Sequence, residues 1–487
     1  MAHQRVDARF VLPFPVERAV VLGRLEAWNG GLAEVGIDVS ATRDRGAFDL
    51  VVAPTGLADE AIAANAPAVV LEGGGGSRPL RAAGYATRTL LPIPSIEEAR
   101  HLVRPDHRLA AVYAVEHWSV ATTAKRRARN TIAKTLLSRG LLPGAVPALT
   151  VGIRSEAPPF LLAAAAEYGV PLDAGWFMTL GGFDVLSRSV FQLFGPAQTE
   201  PGWVVKFTRV PGHTEPFDRD ERGVRLAETA GGRVSAHVPR ILGRFEAAGL
   251  HASVETAAAG YRLTDFMLRP VSRAEKVRLV DSVAGWIVEL GKRTRAEGET
   301  LQAEQERLAN EVIPLFRQDG IQASLVEDLQ GLPSVLRHGN LGTWNVIARD
   351  ADAFSVIDWE TAREHGMPLC DLVFFLSNAL LHLDRATVVE SRDQHTRRLF
   401  LGELPSSEIL FRWVRNAVVA FELPPETIGR IVTLCWLDHA ADDAARASLH
   451  SVLGGGTAWG ESDSGRIAGL WLREPGLGPG WRSWQGN

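Results

Sequence analysis

Two cysteines in 487 residues, Cys370 and Cys435, stand far apart and outside any C-x-x-C spacing. That excludes a disulfide framework and a cysteine-built zinc site, and makes a reducing cytoplasm the expected compartment. No stretch approaches the ~20 apolar residues of a membrane span, and the opening MAHQRVDARF has no apolar core of signal-peptide length. Neither insertion nor secretion is expected. Charge of neither sign dominates: 22% of residues are charged, the formal net charge is −5, and 46% are hydrophobic. This is the composition of a soluble globular protein with no global pull toward nucleic acid or membrane.

At this length one core is unlikely to organise the whole chain, so two or three domains are expected. Residues 1 to about 150 alternate apolar, strand-like runs (Ala19–Leu22, Ile37–Val39, Phe48–Ala53, Ala68–Leu71, Thr87–Ile93, Leu109–Val115) with helical stretches such as Leu57–Asn65 and Ser95–Leu102. Alternation of this kind predicts parallel strands with crossover helices, a doubly wound α/β domain that Val151–Arg154 would close. Glycine, plentiful elsewhere, is missing where a dinucleotide or S-adenosylmethionine site needs it. After Val20–Gly23 come Arg24, Leu25, Glu26 and Ala27, and Gly30 and Gly31 arrive a helical turn late, so no working cofactor site is expected here. Glu72, the run Gly73–Gly76 and Ser77 lack lysine at P-loop spacing and read as a flexible turn.

Trp118–Gly140 holds Lys125, Arg126, Arg127, Arg129, Lys134 and Arg139 and no acidic residue, while Ala124, Ala128, Ile132 and Leu136 recur every fourth position. It predicts a basic amphipathic helix. Such a helix suits an anionic membrane surface or a polyanionic glycan, and equally a helix docked on the sheet with its charges in solvent. Pro143, Gly144 and Pro147 then mark a boundary.

The stretch that carries chemistry is Leu336–Asp371, LRHGNLGTWNVIARDADAFSVIDWETAREHGMPLCD. A strand Asn345–Ile347, a hairpin through Asp350 and Asp352, and a second strand Phe354–Ile357 bring Asn345 and Asp358 together, an amide and a carboxylate of the kind Mg²⁺ takes beside nucleotide phosphates. His338, Gly339, Asn345, Ile357, Asp358, Trp359 and Glu360, followed by Gly366, Pro368, Asp371 and Leu372, resemble the signature of the aminoglycoside phosphotransferase and choline kinase family of protein-kinase-like enzymes. One position departs from it: where that family carries its catalytic Asp, this chain has Asn340.

The resemblance implies a two-lobed, protein-kinase-like α+β domain after the α/β domain, with boundaries at 1–150 (degenerate, Rossmann-like), 151–265 (small lobe) and 266–487 (helical large lobe). FDLVVAP at Phe48–Pro54 loosely resembles a methyltransferase-type sheet. In the small lobe, Gly181, Gly182 and Ser187 would cover the phosphates of ATP, Lys206 would pair with them, and Glu221 would steady the lysine. Backbone groups around Glu255, Thr256 and Ala257 would bond the adenine edge. Asn345 and Asp358 would hold Mg²⁺, and Asn340 with His338 would stand at the acceptor. Two readings follow: an ATP- and Mg²⁺-dependent phosphotransferase acting on a small-molecule or saccharide hydroxyl, slowed by Asn340, or a nucleotide-binding pseudokinase that scaffolds or regulates another enzyme. The tail Trp459–Asn487, with Trp471, Trp481 and Trp484, shows no regular pattern.

Overall fold

The computed structural model describes residues 8–40, 47–96, 99–118, 123–141, 148–181, 187–297, 299–319, 324–327, 329–386, 390–451, 462–474 and 476–477. They divide into two compact units: Met1–Phe217 with Arg240–Ala259, and Asp218–Pro239 with Gly260–Asn487.

The first unit is built on one twelve-stranded sheet. Its strands are β1 (Arg18–Val21), β2 (Asp38–Ser40), β3 (Leu50–Pro54), β4 (Ala68–Glu72), β5 (Ala86–Ile93), β6 (His101–Val103), β7 (Leu149–Ile153), β8 (Gly175–Thr179), β9 (Ser189–Phe194), β10 (Trp203–Phe207), β11 (Ile241–Ala247) and β12 (Leu250–Thr256). They run in the order β11-β12-β10-β9-β8-β6-β5-β7-β4-β3-β1-β2. Only β2, β1, β3 and β4 pair in parallel; β7 pairs antiparallel with both β4 and β5, and antiparallel pairing continues to β11. The parallel strands are near-continuous apolar runs because helices cover both faces. Val21, Val52 and Val70 pack with Trp28 and Leu32 of α1 (Glu26–Glu34) and Leu161 of α6 (Phe160–Ala165). Val20, Val51 and Val69 pack with Ala58 and Ala61 of α2 (Ala58–Ala63) and Leu80 of α3 (Ser77–Ala82).

Three local expectations give way to tertiary context. Leu109–Val115, read as a strand, forms α4 (Arg108–Tyr113) and a π-helical turn, Ala114–Trp118. Its three alanines favour helix, and Ala110, Tyr113 and Ala114 lie on Leu91, Val103 and Phe177. Ser95–Leu102, read as a helix, ends instead in β6, whose backbone is claimed by ladders to β5 and β8. β7 does not close the sheet but lies inside it, and residue 150 falls within this strand. The α/β strands thus continue without a break into those that carry Lys206.

A histidine fastens α4 to this sheet. His107 Nδ1 accepts the Trp176 N–H at 2.9 Å, and burial, helped by the Arg104 charge, pushes its pKa down to about 4. In the second unit burial, with Arg392 and His395 nearby, likewise pushes His382 down to about 4. An unfolded histidine protonates near pH 6.5, so between ~6.5 and ~4 the unfolded chain binds more protons. Stability from these groups is full above that window and declines by about 2 kcal/mol per histidine at pH 5. The melting temperature should drop between pH 7 and pH 5, and His107→Asn, whose amide oxygen can still accept from Trp176, should recover part of the drop. An unchanged pH profile in the His107→Asn/His382→Asn variant would contradict this assignment.

The second unit begins within α7 (Glu215–Thr229) and holds two small sheets, β13 (Tyr261–Arg262) with β15 (Val346–Ala348) and β16 (Phe354–Val356), and β14 (Val335–Arg337) with β17 (Arg363–Gly366). Helices supply the rest. Arg273–Thr294 starts at Ser272, whose Oγ accepts the Glu275 N–H, and buries Leu279, Val283, Trp286 and Leu290. Cys370–Leu383 is buried almost all round, and Ile428–Ser451 runs as one helix. In the tail, Asp463–Arg473 is helical and buries Trp471 edge-on to Phe400; Trp459, Trp481 and Trp484 lie outside the described residues.

Candidate functional site: an HGN loop and a strand lysine

In the second unit, β14 delivers the chain into a loop whose conformation is set by its backbone hydrogen bonds. Asp371, in the first turn of the helix Cys370–Leu383, accepts the N–H groups of His338 and Gly339 at 2.5 and 3.0 Å. Gly339 turns the chain at φ +84°, and a Cβ there would lie 2.4 Å from the Thr361 carbonyl oxygen, so no larger residue fits. His338 is fully buried; its Nδ1 accepts the Asn340 N–H at 3.3 Å, and its Nε2 is 3.0 Å from the Ile357 carbonyl, to which it donates in that tautomer. Both ring nitrogens are thereby spent on backbone. His338, expected beside the acceptor, is a positioning residue that ties the two halves of the signature together.

The Asn340 carbonyl accepts from Gly342 N–H at 2.8 Å and from Asn345 Nδ2 at 2.9 Å. With its nitrogen so engaged, Asn345 has Oδ1 left as an acceptor. No hydrogen bond among the described residues holds the half-buried Asn340 side-chain amide. The hairpin forms as its sequence implies: Asp350 Oδ1 accepts the N–H groups of Asp352 and Ala353, Val346 pairs with Val356, and Ile357 N–H donates to the Asn345 carbonyl at 2.9 Å. This puts Asn345 and Asp358 at one end of the hairpin, with Asp358 at φ +70°. An amide oxygen and a carboxylate at the same end of one hairpin are hard ligands of the type a divalent cation takes.

α7 braces this loop through a residue the sequence reading passed over. Asp220 is buried and accepts the Trp359 N–H at 2.7 Å, and Gly223 lies so close that a Cβ would meet the Trp359 carbonyl at 2.6 Å. Glu221, one residue on, pairs with Arg225. The signal was present: Phe217, Asp220, Val224 and Ala227 share the buried helical spacing, and a carboxylate on such a stripe needs a partner.

Behind the loop lies a buried ionic cluster. Arg337 donates to Asp438 at 2.5 Å and stands 4.0 Å from Asp371, while Glu304, Arg307 and Arg363 complete the set. Burial would raise the Asp438 pKa, yet Arg337, Arg363 and Arg307 outweigh it and hold the carboxyl well below its ordinary range. Arg337 directly precedes His338, so the cluster pins the entry to the loop as Asp371 pins its turn. Sequence spacing gave no sign of it, because its members span more than 130 residues.

The first unit presents Lys206. Buried in the middle of β10, it forms a 2.8 Å ion pair with Glu255 of β12, whose Oε1 also accepts from Ser253 Oγ at 3.3 Å. Glu255 had been read only for its backbone; its side chain lies diagonally across from Lys206 on the same sheet face. Gly181 ends the approach to the expected phosphate-covering turn at φ +74°, where a Cβ would fall 2.2 Å from the Arg188 carbonyl; Ser187 stands at the other side, and Gly182 lies outside the described residues. Thr256 closes β12 and accepts the Arg240 N–H at 2.9 Å.

The parallel strands show no such convergence. After β1 the turn glycine, Gly23, has φ +77° and abuts Pro54 and Leu57, while Gly30 lies inside α1. On these glycine positions S-adenosylmethionine is still not expected to bind. Calorimetry on the full chain should therefore detect no binding at micromolar ligand, and micromolar affinity would refute the reading; a fragment ending at 150 would cut β7 and is unsuitable.

Residues 198–405 match the model of the phosphotransferase enzyme family. No curated protein matches the chain. Solved structures similar to it include the aminoglycoside phosphotransferase APH(4)-Ia, 14% identical, covering 63% of this chain and 96% of that one with a TM-score of 0.39. Another is APH(3'')-Id from Streptomyces rimosus in complex with ADP and streptomycin, 17% identical over 57% of this chain and 97% of that one, TM-score 0.34. The bifunctional kinase-methyltransferase WbdD is 11% identical, over 84% and 85% of the two chains, TM-score 0.26. The residues that match the family model span Lys206 and the whole HGN loop.

Proposed function

We propose that the protein is an ATP- and Mg²⁺-dependent phosphotransferase acting in the cytoplasm on the hydroxyl group of a small molecule or saccharide. The observation that carries the reading is the HGN loop: Asn345 with Oδ1 left over, Asp358 at the same end of the hairpin, and an Asn340 side-chain amide with no hydrogen bond among the described residues. Asn345 and Asp358 would hold Mg²⁺, Lys206 would take the phosphates of ATP, and Glu255 keeps that lysine extended along its strand. Gly181, Gly182 and Ser187 would cover the phosphates, and backbone at Thr256 the adenine. When bound, Mg²⁺·ATP supplies the phosphoryl group and the charge that stabilises its transfer.

Asn340 accepts a hydrogen bond from the acceptor hydroxyl through Oδ1 and so orients it, but an amide cannot take the proton at neutral pH. That single exchange also favours a second reading, a pseudokinase that binds nucleotide and regulates a partner. Transfer of labelled γ-phosphate from ATP to a panel of aminoglycosides, amino sugars and simple saccharides separates the two. Acceptor-dependent incorporation is expected, and its absence across the panel would favour the second reading.

A further inference from the structure

The helix α5 (Ala124–Ser138) does not use its apolar stripe to dock on the sheet. Leu137 is the residue it buries, whereas Ala128 and Ile132, on the stripe expected to face inward, point away; Ile132 is 61% exposed. Thr131 and Thr135, on the same outward side, turn their hydroxyls back to the carbonyls of Arg127 and Thr131, which leaves that side poor in polar groups seeking water. Lys134 is neutralised by Glu116. Lys125, Arg126, Arg127, Arg129 and Arg139 form no ion pair among the described residues, and the first four are exposed, as is Arg139.

The start of α4 adds to this surface. A Cβ on Gly140 would lie 2.7 Å from the Arg108 guanidinium, so Arg108 and Leu109 sit beside the end of α5. Leu109 is 41% and Leu141 52% exposed. Together with Ile132 they make three of the eight large hydrophobic residues exposed among the described ones, all on one hairpin with six cations, Arg108 the sixth, that form no ion pair among the described residues.

We infer that the α4–α5 hairpin is a docking surface for an anionic phospholipid membrane. Cations alone would suit any polyanion; exposed aliphatics between them suit a surface with a charged headgroup layer over hydrocarbon, where Ile132, Leu109 and Leu141 leave water while the guanidinium groups stay among phosphates. Nucleic acid offers no such place for the aliphatic groups. Among the described residues no helix is long and apolar enough to cross a membrane, so the contact is peripheral. It is independent of the phosphotransferase reading, since none of these residues belongs to the HGN loop or the Lys206 face.

Co-sedimentation of the full chain with phosphatidylglycerol vesicles and with phosphatidylcholine vesicles tests it. Binding is expected to phosphatidylglycerol at 0.05 M salt, with little to phosphatidylcholine and a steep loss at 0.5 M salt. Arg126→Glu/Arg127→Glu/Arg129→Glu should weaken it about a hundredfold, with the melting temperature unchanged because the three side chains are exposed. Ile132→Asn, which removes the apolar contact without changing the charge, should weaken vesicle binding about fivefold or more and leave binding to a duplex DNA oligomer unaltered. The inference is overturned if wild type ignores phosphatidylglycerol at low salt, or if the charge-reversed variant binds as wild type does. It is overturned as well if Ile132→Asn is silent on vesicles while the oligomer binds as tightly as they do, which would make the hairpin a general polyanion contact.

Discussion

Millimolar Mg²⁺·ATP should raise the melting temperature of the wild-type chain by several degrees, and Asp358→Ala should abolish the shift. A ligand at a hundred times its dissociation constant stabilises the form that binds it by about 2.7 kcal/mol, enough for such a shift in a unit of this size. Asp358 is the single anionic side chain the hairpin offers the cation, so its removal acts on metal and phosphates together. Lys206→Ala should abolish the shift too, but it strands Glu255, which is only 3% exposed. An unpaired buried carboxylate costs about 3–5 kcal/mol, so this variant should start from a lower melting temperature. Lys206→Met/Glu255→Gln separates the effects: it removes the buried charge, restores much of the baseline, and should still show no response to nucleotide. A wild type indifferent to millimolar Mg²⁺·ATP would remove the basis for both the phosphotransferase and the pseudokinase readings.

Asn340→Asp should raise turnover at least tenfold while nucleotide affinity stays nearly constant. General-base assistance is typically worth ~10²–10⁴-fold, or roughly 3–5 kcal/mol of barrier. Phosphoryl transfer has a loose transition state in which positioning and metal charge carry most of the catalysis, so an amide at this position should slow the proposed reaction without abolishing it. The substitution is nearly isosteric, and the loop bonds that hold residue 340 come from its backbone, to His338, Gly342 and Asn345. The new carboxylate therefore enters without moving the loop. Wild type and variant equally silent against the acceptor panel would leave the pseudokinase reading; a fast wild type slowed by Asp would show that Asn340 serves a different chemistry.

How much of the site was legible depends on how far apart its members lie in the chain. The hairpin from Asn345 to Asp358 could be read because its turn chemistry, its alternating strands and the two polar ends fall within 14 residues. Asp371 was legible through the G-x-P-x-x-D-L spacing, though its task, holding the N–H groups of His338 and Gly339, was not. Glu255 was missed because strand register decides which side chain lies beside Lys206. Asp220 lies one residue, about 100° of helix rotation, from Glu221, and only packing against Trp359 shows that it points inward.

By itself the sequence determined the kinds of element and the chemistry at their ends: apolar runs long enough for strands, the HGN motif with Asn where an acid is usual, a lysine inside a strand, and a helix rich in Arg and Lys. These are local properties, set by side-chain periodicity and turn preferences within a few residues. Only the tertiary structure decided that the α/β strands and the Lys206 strands share one sheet, that Leu109–Val115 is helical, that Arg337 meets Asp438 across a hundred residues, and that the α5 stripe faces outward. The physical reason is common to all four. Each is settled by which partner satisfies a backbone ladder, a buried charge or an apolar face, and that competition is between segments distant in the chain, where no local preference can reach.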